Sequence, residues 1–497
     1  MCNKNIRNIK GKPVVGLSFN IKMNKIHSLI IILFIGAIVI SDCLSAPNQS
    51  YSRYPNEKGV MLVTNIQSKE LDAFIENAIN VVPIPGLSVM ITNQNDNIYS
   101  MQYGQGVTEN SPFALGSTSK AITATAVLML LEEYNIELYT PIWEYLTWID
   151  TEYGITIKDL LNHTSGISTY ETIDNLKYSG SYGDFEYSNA NYNLLAEIIE
   201  TITGNPFSDY VDKRIFSILE MDNSFALSND NISSIVQGHK AYFGLLFPCR
   251  TTFPDKTTWI QAPSGYLCAS PENMSVYLRF MLDYSRDKQQ LLSLVQNTGV
   301  QVNDSPAIEG IYNNSGIYGL GWIWKNVSGI DILYHTGKLS NFCSLSVLIP
   351  QKNIGISVMC NMGDFLVGTN QIEKLYEGII SILINHEDIP IIQKNTYLKQ
   401  HIFINMSLLF LVFLCLLPAI LYRLTGAIFY PTTLNCCVFT LIHIIIPIIL
   451  IRLFPILGIT YEVATDFAPD ILLILLICSV ILFSTGAWKL VLIVFCE

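Results

Sequence analysis

The sequence predicts an α/β (α+β) architecture, a mixed sheet flanked by helices with a helical middle, followed by a three-helix transmembrane region. Strand-like segments lie at both ends of the central region, with mainly helical segments between them. That order builds a sheet from strands distant in sequence, with helices around it. Residues 402–497 hold three apolar runs, each near the roughly 20 residues that cross a bilayer core. The composition agrees: 50% of residues are hydrophobic and 14% charged, against about 25% charged in soluble globular proteins.

The chain has 497 residues, room for roughly two to four domains. Its 29 basic and 41 acidic residues give a net charge of −12. No basic face is available to follow a phosphate backbone, so nucleic-acid binding is excluded. The hydrophobic content excludes disorder, and 30 glycines and 20 prolines without a period exclude collagen-like structure.

The first element is a targeting segment, residues 1–46. An apolar run, IHSLIIILFIGAIVI at 26–40, follows Lys4, Arg7, Lys10, Lys12, Lys22 and Lys25 and precedes Ser41, Ser45 and Ala46. Basic, apolar and small-residue regions in that order describe a secretory signal, with an uncleaved anchor helix as the alternative. Met23 would open a shorter signal than Met1. Asp42 disfavours a lipoprotein signal ending at Cys43.

Residues 47–388 form the exported domain, of ordinary composition and ample size for a large core. Ser68 caps a helix in which Leu71, Phe74, Ile75, Ala78 and Ile79 recur at helical spacing. Residues 86–92 and 97–103 then read as strands around the turn NQND. Helices follow at 117–135, 156–162, 189–203 and 207–219. The strand pattern returns at 319–324, 332–335, 343–349 and 355–360, and a last helix covers 366–384.

A linker, 389–401, leads to spans at 402–421, 434–453 and 471–488. Arg423 and Lys489 flank one side, whereas Glu462, Asp466 and Asp470 cluster on the other. The positive-inside rule places that acidic loop outside, and the exported domain with it. Arg452 fits less well, although a long side chain can snorkel to the interface. Buried core helices of a soluble domain are the alternative. The apolar stretch after Lys489 looks like the start of a further span.

Four of the eleven cysteines, Cys249, Cys268, Cys343 and Cys360, belong to the exported domain. They lack metal-ligand spacing; inert buried thiols are expected, although export permits a bridge. The seven histidines form no HExxH or paired-ligand pattern, which argues against a metal site.

Three motifs carry chemistry. In Ser117-Thr118-Ser119-Lys120, positions i and i+3 share a helix face, bringing the Lys120 amine beside the Ser117 hydroxyl. The positive field of a helix N-terminus favours an oxyanion there, and a desolvated lysine is a base near neutral pH. An N-cap serine with an exposed lysine is the plain alternative. Tyr187-Ser188-Asn189 precedes a helix, where the phenol could shuttle a proton and the amide bind a carbonyl; a packed tyrosine and an N-cap asparagine are equally compatible. His335-Thr336-Gly337 ends a strand, where glycine admits another backbone and an edge N–H faces substrate. A lone histidine there is more often structural.

Taken in order and spacing, the three motifs resemble the serine β-lactamase and penicillin-binding-protein superfamily, closest to its class C β-lactamase and DD-peptidase branch. IPGLSVMI at 84–91, DLLNHTSGI at 159–167 and YGLGWIW at 318–324 share that appearance. The resemblance implies the β-lactamase/DD-peptidase-like fold with an all-helical subdomain. It implies Ser117 as acyl-forming nucleophile, Lys120 and Tyr187 as proton-transfer pair, and the backbone N–H groups of Ser117 and Lys338 as oxyanion hole. Asn189 would hold the substrate amide, and His335, Thr336, Gly337 and Lys338 would line the substrate strand. No metal or organic cofactor is implied.

One departure bears on substrate. The β-lactamases carry lysine where this chain has His335, and that cation recognises a carboxylate. Histidine would bind a carboxylate less firmly and with pH dependence, unless Lys338 compensates. It resembles the esterase, aminopeptidase and D-amino-acid-peptidase members more closely. The three-helix tail resembles the colibactin-type prodrug-activating peptidases, which carry serine where this chain has Asn189, so their substrate does not transfer with the layout. The expectation is a membrane-anchored serine hydrolase acting on an amide or ester outside the cytoplasm, with a small-molecule or peptide substrate and the lipid bilayer as partners. Alternatives are a β-lactamase or DD-carboxypeptidase, a penicillin sensor that stays acylated, and a structural membrane protein. Sequence leaves the oligomeric state open.

Overall fold

A computed structural model of the chain describes residues 65–149, 153–251, 257–287, 290–303, 311, 315–365, 367–392, 396–425 and 432–496. The signal or anchor at 1–46 lies outside the described residues. Helix α1 (Asn65–Val81) opens them and buries Leu71, Ile75, Ala78 and Ile79, the positions picked out by periodicity. Strands β1 (Gly86–Thr92) and β2 (Asn97–Gly104) form the first hairpin. Asn93 makes its turn, its side-chain oxygen accepting the N–H groups of Asn95 and Asp96.

The short strand β3 (Phe113–Ala114) leads into α2 (Ser119–Tyr134), then α3 (Ile157–Asn162), α4 (Asn189–Thr203) and α5 (Phe207–Val211). Thr156 and Asp159 cap α3 reciprocally in a capping box. Gly204, at φ +68°, ends α4 in a left-handed turn. The single helix expected over 207–219 divides: α5 gives way to a π turn, Asp212–Phe216. The region 220–318, which sequence left without elements, holds β4 (Ser224–Ala226), the hairpin β5 (Gly238–Tyr242) and β6 (Leu245–Cys249), β7 (Leu267–Ala269), α6 (Pro271–Asp287) and α7 (Gln290–Thr298).

Strands β8 (Val300–Val302), β9 (Gly316–Gly319), β10 (Trp322–Val327), β11 (Ile330–Lys338), β12 (Cys343–Ile349) and β13 (Ile354–Cys360) complete the main sheet. Its order is β2-β1-β13-β12-β11-β10-β9-β8, antiparallel throughout. Leu87 of β1 faces Cys360 of β13, so the two ends of the domain meet in the sheet as expected. The one strand read at 319–324 is two, because Leu320 and Gly321 both have positive φ and turn the chain. After the short β14 (Met362–Gly363), α8 (Gly368–Ile384) returns to the sheet.

The sheet is covered on both faces. Leu71 and Ile75 of α1 with Ile372, Leu375 and Ile379 of α8 share a core with Val89, Val347 and Val358. On the other face, Tyr277, Leu278 and Met281 of α6 join the core of the helical subdomain. Cys343 and Cys360 are register partners on β12 and β13 and, like Cys268, are buried free thiols.

The tail comprises α9 (Thr396–Thr425), α10 (Thr433–Thr440) continued through a π turn into α11 (Ile446–Ile456), the short α12 (Tyr461–Phe467) and α13 (Pro469–Cys496). Three stretches are long and apolar enough to cross a membrane: Thr396–Leu424, Thr433–Ile456 and Pro469–Val491. Two expectations change. The linker is shorter than read, because α9 starts at Thr396. The residues after Lys489 continue α13 to Cys496 rather than opening a further span.

Candidate active site

Ser117 lies in a 3-10 turn, Gly116–Thr118, that runs into α2. Its conformation is set by its neighbours. Gly116 has φ +55°, and a Cβ there would stand 2.6 Å from the Lys338 backbone nitrogen, so only glycine fits. A Cβ at Gly337 would overlap the Leu115 carbonyl. The same carbonyl accepts hydrogen bonds from Thr118 Oγ1, at 2.7 Å, and from Ser344 of β12. The serine turn is therefore clamped flat against the end of β11.

Lys120, the second residue of α2, is fully buried. Its Nζ lies 3.2 Å from Ser117 Oγ, 2.6 Å from Asn189 Oδ1 and 2.6 Å from the Ser264 carbonyl oxygen. Burial alone pushes its pKa well below the ordinary lysine value. A carbonyl and an amide oxygen can only accept. In its neutral form the amine would satisfy both with its two protons and keep its lone pair for the Ser117 hydroxyl. The Tyr187 ring centroid is 4.8 Å and the Tyr192 ring centroid 5.5 Å from the same nitrogen.

Behind Tyr187 stands an aromatic wall that sequence reasoning missed. His163, quoted within DLLNHTSGI but given no role, is fully buried with its ring 4.3 Å from that of Tyr187. Its Nδ1 accepts from the Ser188 N–H at 3.2 Å and faces the Asn191 amide at 3.0 Å, which leaves the proton on Nε2. Burial, then the nearby Lys120 and His335, hold its pKa well below the ordinary imidazole value. The signal for such a residue was its place between two small polar residues after a helix that ends in a left-handed turn at His163 itself.

His335 is 3% exposed. Its Nδ1 is 2.6 Å from the Thr336 carbonyl oxygen and must carry the proton, so Nε2 accepts from the Tyr318 hydroxyl at 3.2 Å. Burial and the nearby Lys120 bring its pKa down to about 3, against the weaker raising effect of the Thr336 carbonyl. With its pKa that far below neutrality, the imidazole facing the tyrosines does not supply the pH dependence expected near neutral pH. Lys338 is also committed, with Nζ 2.8 Å from Glu373 Oε1 of α8.

The four strand residues share a flank that β10 does not pair. β10 pairs with β11 only as far as Tyr334, so His335, Thr336, Gly337 and Lys338 run past it while β12 holds their other side. The structure thus brings Ser117, Lys120, Tyr187 and Asn189 together and lays the end of β11 against the serine turn. The backbone carbonyl of Ser264, which carries no sequence signal, completes the set. Among the described residues, no cluster of three or more metal-ligating side chains occurs.

The Beta-lactamase family profile matches residues 71–368, and the chain belongs to that family. Protein flp of Staphylococcus aureus is 28% identical over 362 residues, 65% of this chain and 68% of its own length. The octameric penicillin-binding protein homologue from Pyrococcus abyssi superposes with a TM-score of 0.54 at 22% identity, covering 66% of this chain and 80% of its own. A β-lactamase/D-alanine carboxypeptidase from Yersinia pestis gives 0.52 at 19%, covering 65% and 100%. A D-amino acid amidase from Ochrobactrum anthropi gives 0.53 at 18%, with the same coverages. At these identities the solved structures share the fold.

Proposed function

We propose that this chain is a membrane-anchored serine hydrolase that cleaves an amide or ester bond outside the cytoplasm, in a peptidic substrate bearing a D-residue. The observation that carries the reading is the fully buried Lys120, whose Nζ is held by Asn189 Oδ1 and the Ser264 carbonyl at 3.2 Å from Ser117 Oγ. Ser117 Oγ attacks the carbonyl carbon and passes its proton to Lys120 Nζ. The oxyanion of the tetrahedral intermediate accepts from the backbone N–H groups of Ser117 and Lys338. Collapse breaks the carbon–leaving-group bond, and the Lys120–Tyr187 pair returns the proton to the leaving group. Water then attacks acyl-Ser117 by the reverse relay. Asn189 orients the substrate amide while anchoring Lys120.

His335 bears on the substrate class. A buried neutral imidazole and a lysine already paired to Glu373 offer a substrate carboxylate little attraction. That favours amidase or esterase chemistry over β-lactam hydrolysis or DD-carboxypeptidation. The location rests on charge and contact together. The acidic loop that the positive-inside rule puts outside lies against the hydrolase domain, with Asp466 3.5 Å from Lys240.

A fluorescent fluorophosphonate tests the chemistry. It should label wild type and not Ser117→Ala; equal labelling of both removes the nucleophile assignment. Mass spectrometry of products from N-acyl-D-asparaginyl, D-Ala-D-Ala and nitrocefin substrates then separates amidase, carboxypeptidase and lactamase. Acylation without product release would mark a sensor.

A further inference from the structure

The loop between the second and third spans does more than connect them. Its helix α12 reaches the hydrolase domain. Phe467 stands between two rings of that domain, 6.4 Å from Trp259 and 5.8 Å from Phe365 by ring centroids. Two polar contacts seat the loop: Asp466 with Lys240 at 3.5 Å, and the Phe243 N–H donating to Asp470 Oδ2 at 2.9 Å. A cleft remains beside this junction. Lys338, Leu339 and Ser340 line one side of it, Phe365 another, and Asp466 and Phe467 the third. Lys338, whose backbone nitrogen abuts the serine turn, is the residue that the cleft shares with the site.

The charges around the cleft are already paired. Lys338 is held by Glu373, Lys240 by Asp466, and Asp364 lies 2.8 Å from His401 of α9. An anionic ligand would have to break one of these pairs, and Asp470 accepts the Phe243 N–H. The surfaces left to recognise a substrate are the aromatic faces of Phe365 and Phe467. Phe365 is 54% exposed, an exposure that a bound apolar group would remove.

We infer that α12 of the membrane tail forms the outer wall of the substrate cleft, and that Phe467 is a specificity-determining residue which selects acyl groups carrying a bulky apolar substituent. The inference rests on the proposed acylation of Ser117 and adds to it a contribution from the membrane part. Substrate is then read jointly by the end of β11 and by a loop that leaves the bilayer. Detaching the tail would alter selectivity as well as location.

The test uses the full chain in detergent micelles and two fluorophosphonates of the same reactivity, one with an ethyl group and one with an aryl-tipped chain. In Phe467→Ala the labelling rate of the aryl probe should fall about tenfold, the size expected for losing one aromatic contact. The ethyl probe should stay within about twofold, the change left when no such contact is made. Phe365→Ala, a half-exposed position tolerant of truncation, should give the same selective loss, and Phe467→Tyr should restore the aryl rate. Equal effects on both probes, or none on either, overturn the wall. Failure of the ethyl probe to label Ser117 in wild type overturns the hydrolase reading itself, which distinguishes the two failures.

Discussion

At the residue scale, the site is a problem of holding one amine uncharged. Lys120 has no carboxylate among its hydrogen-bond acceptors, only two carbonyl-type oxygens and the serine hydroxyl. Burial lowers its pKa well below the ordinary lysine value, which favours the base form. The rate of acylation by a fluorescent penicillin or fluorophosphonate should therefore rise with pH along a limb well below pH 10.5 and then level off. A rate that still climbs at pH 10 would show an ordinary solvated lysine. Lys120→Ala should slow acylation by about 10²–10⁴-fold, the usual contribution of a positioned base. His335 makes a prediction of opposite kind. Its folded pKa of about 3 lies below the ordinary imidazole value of 6.5, so below pH 6.5 the unfolded chain binds a proton that the folded chain refuses. Stability must then rise with pH through that window, by about 1.4 kcal/mol per unit for each such group. Urea unfolding of His335→Gln between pH 4 and 6 should lose about that much slope relative to wild type; an unchanged slope would place the imidazole in solvent. The SxxK spacing made Ser117 and Lys120 legible from sequence, because one helical turn fixes their relation. The acceptor at Ser264 was not legible, because any residue supplies a carbonyl and only the fold aims it.

Elements come next, and here the joints matter more than the rods. Strand β11 was read as four residues and is nine, because Lys338 and its neighbours pair with β12 despite their polarity. Helix α3 is short, and its value lies in Asn162. That buried side chain accepts the Leu320 N–H at 3.1 Å and donates to the Thr298 carbonyl at 2.6 Å. It thereby ties α3 to α7 and to the turn that separates β9 from β10. Asn162→Ala would strand two buried backbone groups, at about 1–3 kcal/mol each. Thermal unfolding should register a loss of that order, while Asn162→Asp should cost part of it by losing the donor alone. Gly116 is the other joint. Gly116→Ala meets a positive φ and the Lys338 backbone at once, so acylation should fall with the helical and strand content of the circular dichroism spectrum unchanged. Full activity in that variant would mean that the serine turn is not clamped. Sequence missed β4 to β7 because they are short and take their stability from pairing with distant partners rather than from local pattern.

Over the whole molecule, two parts with different solvents are joined at one seam. His401 of α9 pairs with the nearly buried Asp364 at 2.8 Å, the Tyr397 hydroxyl donates to the Gly244 carbonyl at 3.2 Å, and α12 packs on Trp259. His401→Ala would leave a buried carboxylate without its partner, a change that typically costs about 3–5 kcal/mol. Limited proteolysis in detergent should then release the hydrolase domain from the tail faster than in wild type; equal rates would mean that the seam is held elsewhere. The sequence by itself determined the composition split, the three apolar helices, the α/β class and the reactive pair, since each follows from local hydrophobicity or from spacing along one turn. Tertiary structure alone decided the burial of Lys120 and His335, the commitment of Lys338 to Glu373, and the contact of Phe467 with Trp259 and Phe365. Those properties depend on burial and on groups distant in the chain, and desolvation is set by everything that surrounds a side chain rather than by its neighbours in sequence.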